Sequence, residues 1–68
     1  MTQLTWTDTA EIAIALDETY PEADPIHINF VDLMQKILAL PGFTGTADRC
    51  GEKILEAIQM AWIDERDE

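Results

Sequence analysis

Proline and glycine divide this short chain into three segments, each long enough for one helix. The dividing residues are Pro21, Pro25, Pro41-Gly42 and Gly45. Proline lacks a backbone N–H and clashes with the preceding helical turn, so a helix does not run through these points. With 68 residues, the chain has room for one small domain over 1–68 and little room for an internal pocket with supporting residues. We therefore expect a single three-helix domain that is not an enzyme.

The first segment predicts a helix over residues 8–20. Asp8 is placed to cap the free amides of the first turn, and Glu11 is placed to complete a capping box. One face of this helix carries residues at helical spacing, namely Thr9, Ile12, Ala13, Leu16 and Tyr20. After Pro25, residues 26–29 alternate apolar with polar side chains, which is typical of a short extended segment.

The second helix is expected to follow Asn29 as its cap, to have Asp32 at a favourable early position, and to stop before Pro41. Its inner face consists of Phe30, Leu33, Met34 and Ile37. The third helix should begin between Thr46 and Glu52, with an apolar face of Ile54, Leu55, Ile58, Ala61 and Trp62. This pattern predicts an all-α helix-turn-helix or modified winged-helix domain without a second hairpin for a wing.

The charge balance excludes several classes of partner. Four Lys and Arg residues stand against 14 Asp and Glu residues, for a net charge of -10. Phosphates of nucleic acids and anionic lipids would repel such a chain, whereas basic protein surfaces and metal cations would attract it. No apolar run approaches the roughly 20 residues of a membrane span, and residues 1–4 lack signal-peptide features. A single cysteine, Cys50, forms no internal disulfide. We expect a cytoplasmic protein.

Acidic residues at the end of the first helix are not favoured by local helix energetics. They are Asp17, Glu18, Glu22 and Asp24. The C-terminus of a helix carries partial negative charge, so each anion there costs about 0.3 to 1 kcal/mol at low salt. On the outer face of the same helix, Glu11, Ile14 and Glu18 place an exposed isoleucine between carboxylates, which is typical of a small protein-docking surface. A solvated face that maintains solubility is the alternative interpretation.

The outer face of the third helix carries a similar set, namely Glu52, Glu56, Met60 and Ile63. Carboxylates four residues apart repel each other unless a cation lies between them, and Lys53 is placed to neutralise them. Clusters of oxygen ligands suit hard cations, including ferrous iron, although neither EF-hand spacing nor paired histidines occur. Any metal affinity should therefore be low.

Four other residues are interpreted as structural. His27 stands alone beside apolar residues. Cys50 follows Arg49 close to a helix start, and both features lower a thiol pKa, but neither a paired cysteine nor a base accompanies it. Trp6 and Trp62 supply bulk to a small core.

Motifs along nearly the whole chain resemble the IscX family, small acidic proteins of the bacterial Isc system of iron–sulphur cluster assembly. The resemblance rests on Trp6-Thr7-Asp8, Glu11-Ile12, Ala15-Leu16, Tyr20-Pro21, Asp24-Pro25, Phe30, Asp32, Phe43, the block Glu52-Lys53-Ile54-Leu55-Glu56-Ala57-Ile58, Trp62 and Asp64-Glu65. It implies a modified winged-helix fold and a non-enzymatic role. In that role the protein binds the cysteine desulfurase of the Isc system in competition with frataxin, modulates its activity and associates weakly with iron(II).

The resemblance also implies site residues, which we assign by position. The partner-binding set is Asp8, Glu11, Glu18, Glu22, Asp24 and Asp32, to which the helical spacing of the first helix adds Ile14, and the metal set is Glu18, Glu22, Asp24, Glu52 and Glu56. We expect a monomer without a tightly bound cofactor. Residues 44–51 depart from the family pattern because this loop has one acid, Asp48, and one base, Arg49, which should weaken iron binding. Two other functions remain open at this point: an iron(II) donor, and an acidic helix-turn-helix interaction module unrelated to cluster assembly.

Overall fold

The computed structural model describes residues 4–67, and at Ala47 only the backbone. Three α-helices follow one another: α1 is Thr9–Thr19, α2 is Phe30–Leu38 and α3 is Glu52–Asp67, with a short 3-10 helix at Ala47–Arg49 before α3. This arrangement confirms the all-α prediction. The predicted domain over 1–68 includes residues 1–3 and 68, which lie outside the described range. None of the helices within 4–67 has the length and apolar character needed to cross a bilayer.

The start of α2 follows the expected chemistry. Asn29 has extended backbone angles, and its side-chain oxygen accepts a hydrogen bond of 2.8 Å from the backbone N–H of Asp32. The Asp32 carboxylate lies 3.5 Å from the amide nitrogen of the Asn29 side chain. This hydrogen bond confirms the predicted cap. Asn29 and Asp32 are only three residues apart, so the side-chain oxygen of Asn29 reaches the free N–H of the first turn.

The start of α1 differs from the prediction. The Asp8 carboxylate does not cap the first turn of α1; it accepts hydrogen bonds from the backbone N–H and the hydroxyl of Thr5, at 3.0 and 3.3 Å. Glu11 forms no capping bond within residues 4–67. The prediction of a capping box was therefore wrong, because upstream Thr5 donors take the carboxylate that was assigned to the helix amides.

Residues 26–29 do not form the extended segment that their alternating pattern predicts, although Asn29 alone has extended angles. Residues 25–27 form a turn, and the Asp24 carboxylate accepts a hydrogen bond of 3.0 Å from the backbone N–H of Ile26. Aspartate before proline favours such turns by bonding its own backbone two residues on. The sheet-like contact lies elsewhere, as an isolated parallel bridge between Leu4 and Phe43.

A turn after α2 brings Phe43 to this bridge. Phe43 N–H donates to the carbonyl of Leu40 at 3.2 Å, and Gly42 between them has φ of 82°. Proline followed by glycine with positive φ is the pattern of a type II turn, in which only glycine takes the third position without strain. Leu4 then donates to Gly42 and accepts from Thr44, which ties the start of the described chain to the turn.

The core lies where α1 packs against α3, with α2 in smaller contact with both. Its buried side chains are Leu4, Trp6, Ile12, Ala13, Leu16, Leu33, Ile37, Leu40, Leu55, Ile58 and Trp62. The predicted inner faces are confirmed, since each helix contributes the buried residues expected of it and the others assigned to these faces are partly covered. Both tryptophans are buried, as the sequence predicts.

Trp6 joins the start of the described chain to the segment that follows the turn at Gly42. Its indole Nε1 donates a hydrogen bond of 2.7 Å to the carbonyl of Thr46, and its ring meets Phe43 edge to face at 4.7 Å between centroids. Gly45 lies against both rings, and a Cβ there would stand 2.6 Å from Trp6 Nε1. A residue without a side chain is therefore required at this contact.

Candidate functional site

The outer face of α1 exposes the residues that the helical spacing places together. Glu11 and Glu18 are exposed, and Ile14 between them has 36% of its surface accessible. Within residues 4–67, neither glutamate makes an ion pair or a side-chain hydrogen bond. Glu22, just beyond the helix, is exposed in the same way. These four side chains remain available to an external partner.

Three other acids of the predicted partner-binding set have partners inside the domain. The Asp8 carboxylate accepts hydrogen bonds from Thr5, and the Asp32 carboxylate lies 3.5 Å from the side-chain amide nitrogen of Asn29, the cap of α2. Asp24 accepts from Ile26 and lies 2.6 Å from Nδ1 of His27. Asp8 and Asp24 bond local backbone N–H groups, whereas the Asp32 carboxylate contacts the capping side chain, so these three acids differ from the free acids of α1.

The pairing of Asp24 with His27 changes the acidity of the carboxyl group. Its hydrogen bond with His27 is the main cause that lowers the pKa of Asp24 below the ordinary 3.8, and the backbone N–H of Ile26 lowers it further. Both bonds favour the charged carboxylate. A metal ion at Asp24 would have to compete with two existing donors.

The unfavourable charge at the end of α1 is compensated from α3. Nε of Arg66 donates to Oδ1 of Asp17 at 2.7 Å, and the same guanidinium donates to the carbonyls of Ala23 at 2.7 Å and Tyr20 at 3.2 Å. It also lies 5.8 Å from the ring centre of Trp62. Arg66 therefore supplies the cation and the donors that the C-terminus of α1 needs. Asp17 therefore has a stabilising partner inside the domain. Its position at the end of α1 is not the energetic cost that the sequence indicates.

The predicted metal set lies in two separate groups. Arg66 contacts the end of α1, and Glu56 is ten residues earlier on the same helix, which corresponds to roughly 15 Å along the helix axis. Glu18, Glu22 and Asp24 thus belong to the end of α1, while Glu52 and Glu56 belong to the start of α3. Across the described part of the chain, no three His, Cys, Asp or Glu side chains are grouped to hold one metal ion.

The outer face of α3 has the composition that the sequence indicates. Glu52, Glu56 and Met60 are exposed, and Ile63 is half-buried. Lys53 makes no ion pair with either glutamate among residues 4–67, so the neutralisation suggested by its position is not present there. Glu52 lies in the first turn of α3, where a carboxylate is stabilised by the helix dipole.

Cys50 is half-buried, and burial raises the pKa of its thiol. The expected lowering by Arg49 and by the nearby helix start is therefore wrong in direction, since desolvation of the thiolate dominates. A thiol that stays protonated is a poor nucleophile and a poor metal ligand. The structural interpretation of this residue fits its surroundings.

A pocket that sequence reasoning missed lies between the connection after α1 and the end of α3. Its residues are Glu22, Ala23, Asp24, Pro25, Ile26, Ile63, Arg66 and Asp67, around a volume of about 250 Å³. Ile26 and Ile63 are 37 residues apart in the sequence. The sequence signal that could have indicated it is the exposed Ile26 beside acidic residues.

A family model and one relative place the chain among known proteins. A family model described as iron-sulphur cluster assembly matches residues 4–67. An uncharacterized protein of Pseudomonas aeruginosa is 59% identical over 64 residues, which cover 94% of this chain and 97% of that protein. The match extends over all three helices and the connections that carry the acidic residues. The chain therefore belongs to the IscX family, within the proteins of iron–sulphur cluster assembly.

Proposed function

We propose that this protein is a non-enzymatic adaptor that docks on the basic surface of a cysteine desulfurase and modulates its activity. The observation that supports this most directly is the outer face of α1. Glu11, Ile14, Glu18 and Glu22 are exposed and have no internal bonds within residues 4–67. Removing them from water on docking therefore breaks no contact of the folded domain.

Charge attraction is the proposed source of most of the affinity. The net charge of -10 attracts a basic surface over a distance set by salt, and the isoleucine among the carboxylates adds a small apolar contact. Raising the salt from about 0.05 to 0.5 M shortens the screening length from roughly 14 to 4 Å. Desulfurase affinity measured by calorimetry should fall strongly over this range, and an unchanged affinity would contradict an electrostatic mechanism.

A charge-reversal variant locates the docking face. Changing Glu18 and Glu22 together to Lys should abolish most desulfurase binding, because attraction becomes repulsion. The melting temperature should stay unchanged or rise, since neither side chain holds an internal bond and unfavourable charge at the end of α1 is removed.

The matched control reverses two exposed acids elsewhere, Asp48 and Asp64, and changes the net charge by the same amount. It should retain clearly more affinity than the Glu18 and Glu22 variant. Equal loss in both variants would mean that overall charge, and not the α1 face, governs docking. Displacement of the bound protein by frataxin tests whether the two compete for one surface.

Iron(II) is proposed to bind weakly, through one or two carboxylates at a time among Glu18, Glu22 and Asp24, since no three such side chains within residues 4–67 are grouped around one ion. Hard cations prefer oxygen ligands, and Asp24 is already engaged by His27 and Ile26. Changing Cys50 to Ser should leave iron binding intact, and loss of binding would contradict the carboxylate assignment. A partner-independent site of micromolar affinity or tighter would instead favour the iron-donor function. Failure to capture any desulfurase at low salt would favour an unrelated acidic interaction module.

A further inference from the structure

Side chains of α3 hold the connection after α1, which lines the pocket, in place against that helix. Nε2 of Gln59 donates to the carbonyl of Pro25 at 2.8 Å, and Arg66 donates to the carbonyl of Ala23. The two donors are about two helical turns apart, and Ile63 lies between them on α3. The connection after α1 is therefore fastened along α3 on both sides of the pocket.

The walls combine apolar surface with an excess of negative charge. Ile26 has 62% of its surface exposed although it lines a concave site. Three acidic residues, Glu22, Asp24 and Asp67, line the pocket together with one basic residue, Arg66. Arg66 is itself paired with Asp17 outside the pocket. The charge that an occupant meets is negative.

We propose that this pocket receives an arginine side chain from a protein partner. The volume of about 250 Å³ is below the range typical of pockets for drug-sized ligands, roughly 300 to 1,000 Å³. A long side chain places its aliphatic stem on the isoleucines and its cation among the carboxylates, which satisfies both kinds of wall.

Arginine fits these walls better than lysine or a bare cation. The pocket carboxylates are not grouped as a three-ligand metal site, whereas a guanidinium presents five donors over a planar fork and contacts separated acceptors at once. The ammonium of lysine is a compact charge that suits converging acceptors. The proposal rests on the docking function above only for the identity of the protein that supplies the arginine.

A titration of the full chain with an arginine derivative tests the pocket directly. The probe is acetyl-arginine amide, followed by amide NMR signals at neutral pH, with the neutral citrulline derivative and the lysine derivative as comparisons. We expect the amide signals of Glu22, Ala23, Asp24, Ile26, Ile63 and Asp67 to shift with arginine and little with citrulline. Equal shifts with citrulline, equally tight lysine binding, or shifts confined to the outer face of α1 would each overturn the proposal.

Matched variants separate the pocket from general acidity. Changing Asp67 to Asn should weaken binding of the derivative about two- to fivefold, as expected for one exposed charge pair, while Asp64→Asn on the same helix should not. Changing Ile26 to Ser should weaken it, whereas Val31→Ser should not; both side chains are 62% exposed, and Val31 lies outside the pocket. Equal effects within either pair would overturn the assignment.

A second copy of this chain is the main competing occupant. In that case Arg49 of one copy would occupy the pocket of another, and the pocket signals would shift with protein concentration alone. If Arg49→Ala abolished this concentration dependence, the proposal of a different protein as the partner would be overturned. The titration with the arginine derivative tests whether the pocket binds arginine. The salt dependence of desulfurase binding tests the proposed docking function. The two can therefore fail independently.

Discussion

Arg66 should contribute more to stability than an ordinary surface arginine does. It makes one ion pair and two hydrogen bonds to backbone carbonyls, and about a third of its side chain and of Asp17's is exposed. Each carbonyl bond is worth about 0.5 to 1.5 kcal/mol net, and a partly exposed ion pair is worth less than about 1 kcal/mol. Changing Arg66 to Ala should therefore lower the free energy of unfolding by about 1.5 to 3 kcal/mol.

Thermal and urea unfolding measure this loss. In a domain of this size, 1 kcal/mol corresponds to roughly 4 to 8 °C in melting temperature, so a loss of about 2 kcal/mol is readily resolved. Arg66→Lys should lose at least half as much as the alanine variant, because an ammonium cannot reproduce the planar fork that reaches three acceptors. A double-mutant cycle with Asp17→Asn isolates the ion pair and should give a coupling of about 0.2 to 1 kcal/mol.

The control is Arg49→Ala, which removes another exposed arginine. Its side chain makes no bond among residues 4–67, and its removal should change the free energy of unfolding by less than about 0.5 kcal/mol. The reasoning would be refuted by a lysine variant as stable as the parent, or by an alanine variant that matches the Arg49 control.

Three further predictions follow from single contacts. Gly45→Ala should cost about 1 to 3 kcal/mol, because its Cβ would collide with two aromatic rings, whereas Gly51→Ala, which meets open space, should be close to neutral in urea unfolding. Asn29→Ala should cost about 0.5 to 2 kcal/mol through loss of the α2 cap; equal stability would show the cap to be dispensable. Stabilisation by the Asp24 carboxylate should be complete above pH 3.8 and lost as pH falls through its lowered pKa. Carboxyl NMR should show that His27→Gln moves this pKa back toward 3.8.

Short-range chemistry was predictable from the sequence where the donor and acceptor have no competitors. Asn29 caps α2 as expected because its partner is three residues away and held by the helix itself. Asp8 fails the same rule because Thr5, on its other side, offers a backbone and a hydroxyl donor. A capping pattern specifies which carboxylate is near a helix start, and not which of two neighbouring sets of donors it binds.

The candidate site was predictable in composition and less so in organisation. Helical spacing places Glu11, Ile14 and Glu18 together on the exposed face of α1 without any tertiary information. The role of Asp17 depends on Arg66, 49 residues later, and no local rule indicates that contact. The separation of the two metal groups and the pocket at Ile26 likewise depend on how the connection after α1 lies along α3.

Alternation over four residues was too short a signal to define an extended segment. Residues 26–29 alternate apolar and polar, but Asp24 and Pro25 before them specify a turn by bonding and by fixed φ. The extended contact forms instead at Leu4 and Phe43, where the type II turn at Gly42 presents free backbone groups. Turn chemistry therefore outweighs side-chain alternation in so short a stretch.

Long-range bonds near both limits of the described range affect the order in which this domain can fold. Trp6 bonds a carbonyl 40 residues later, and Arg66 bonds a carboxylate 49 residues earlier. The Trp6 bond therefore cannot form before 44–46 are present, and the end of α1 gains its donors only once Arg66 is present. Closing such long loops delays folding until most of the chain is present. A chain that stops before Arg66 therefore lacks the donors at the end of α1, and it should hold this acidic region less stably than a chain that contains them.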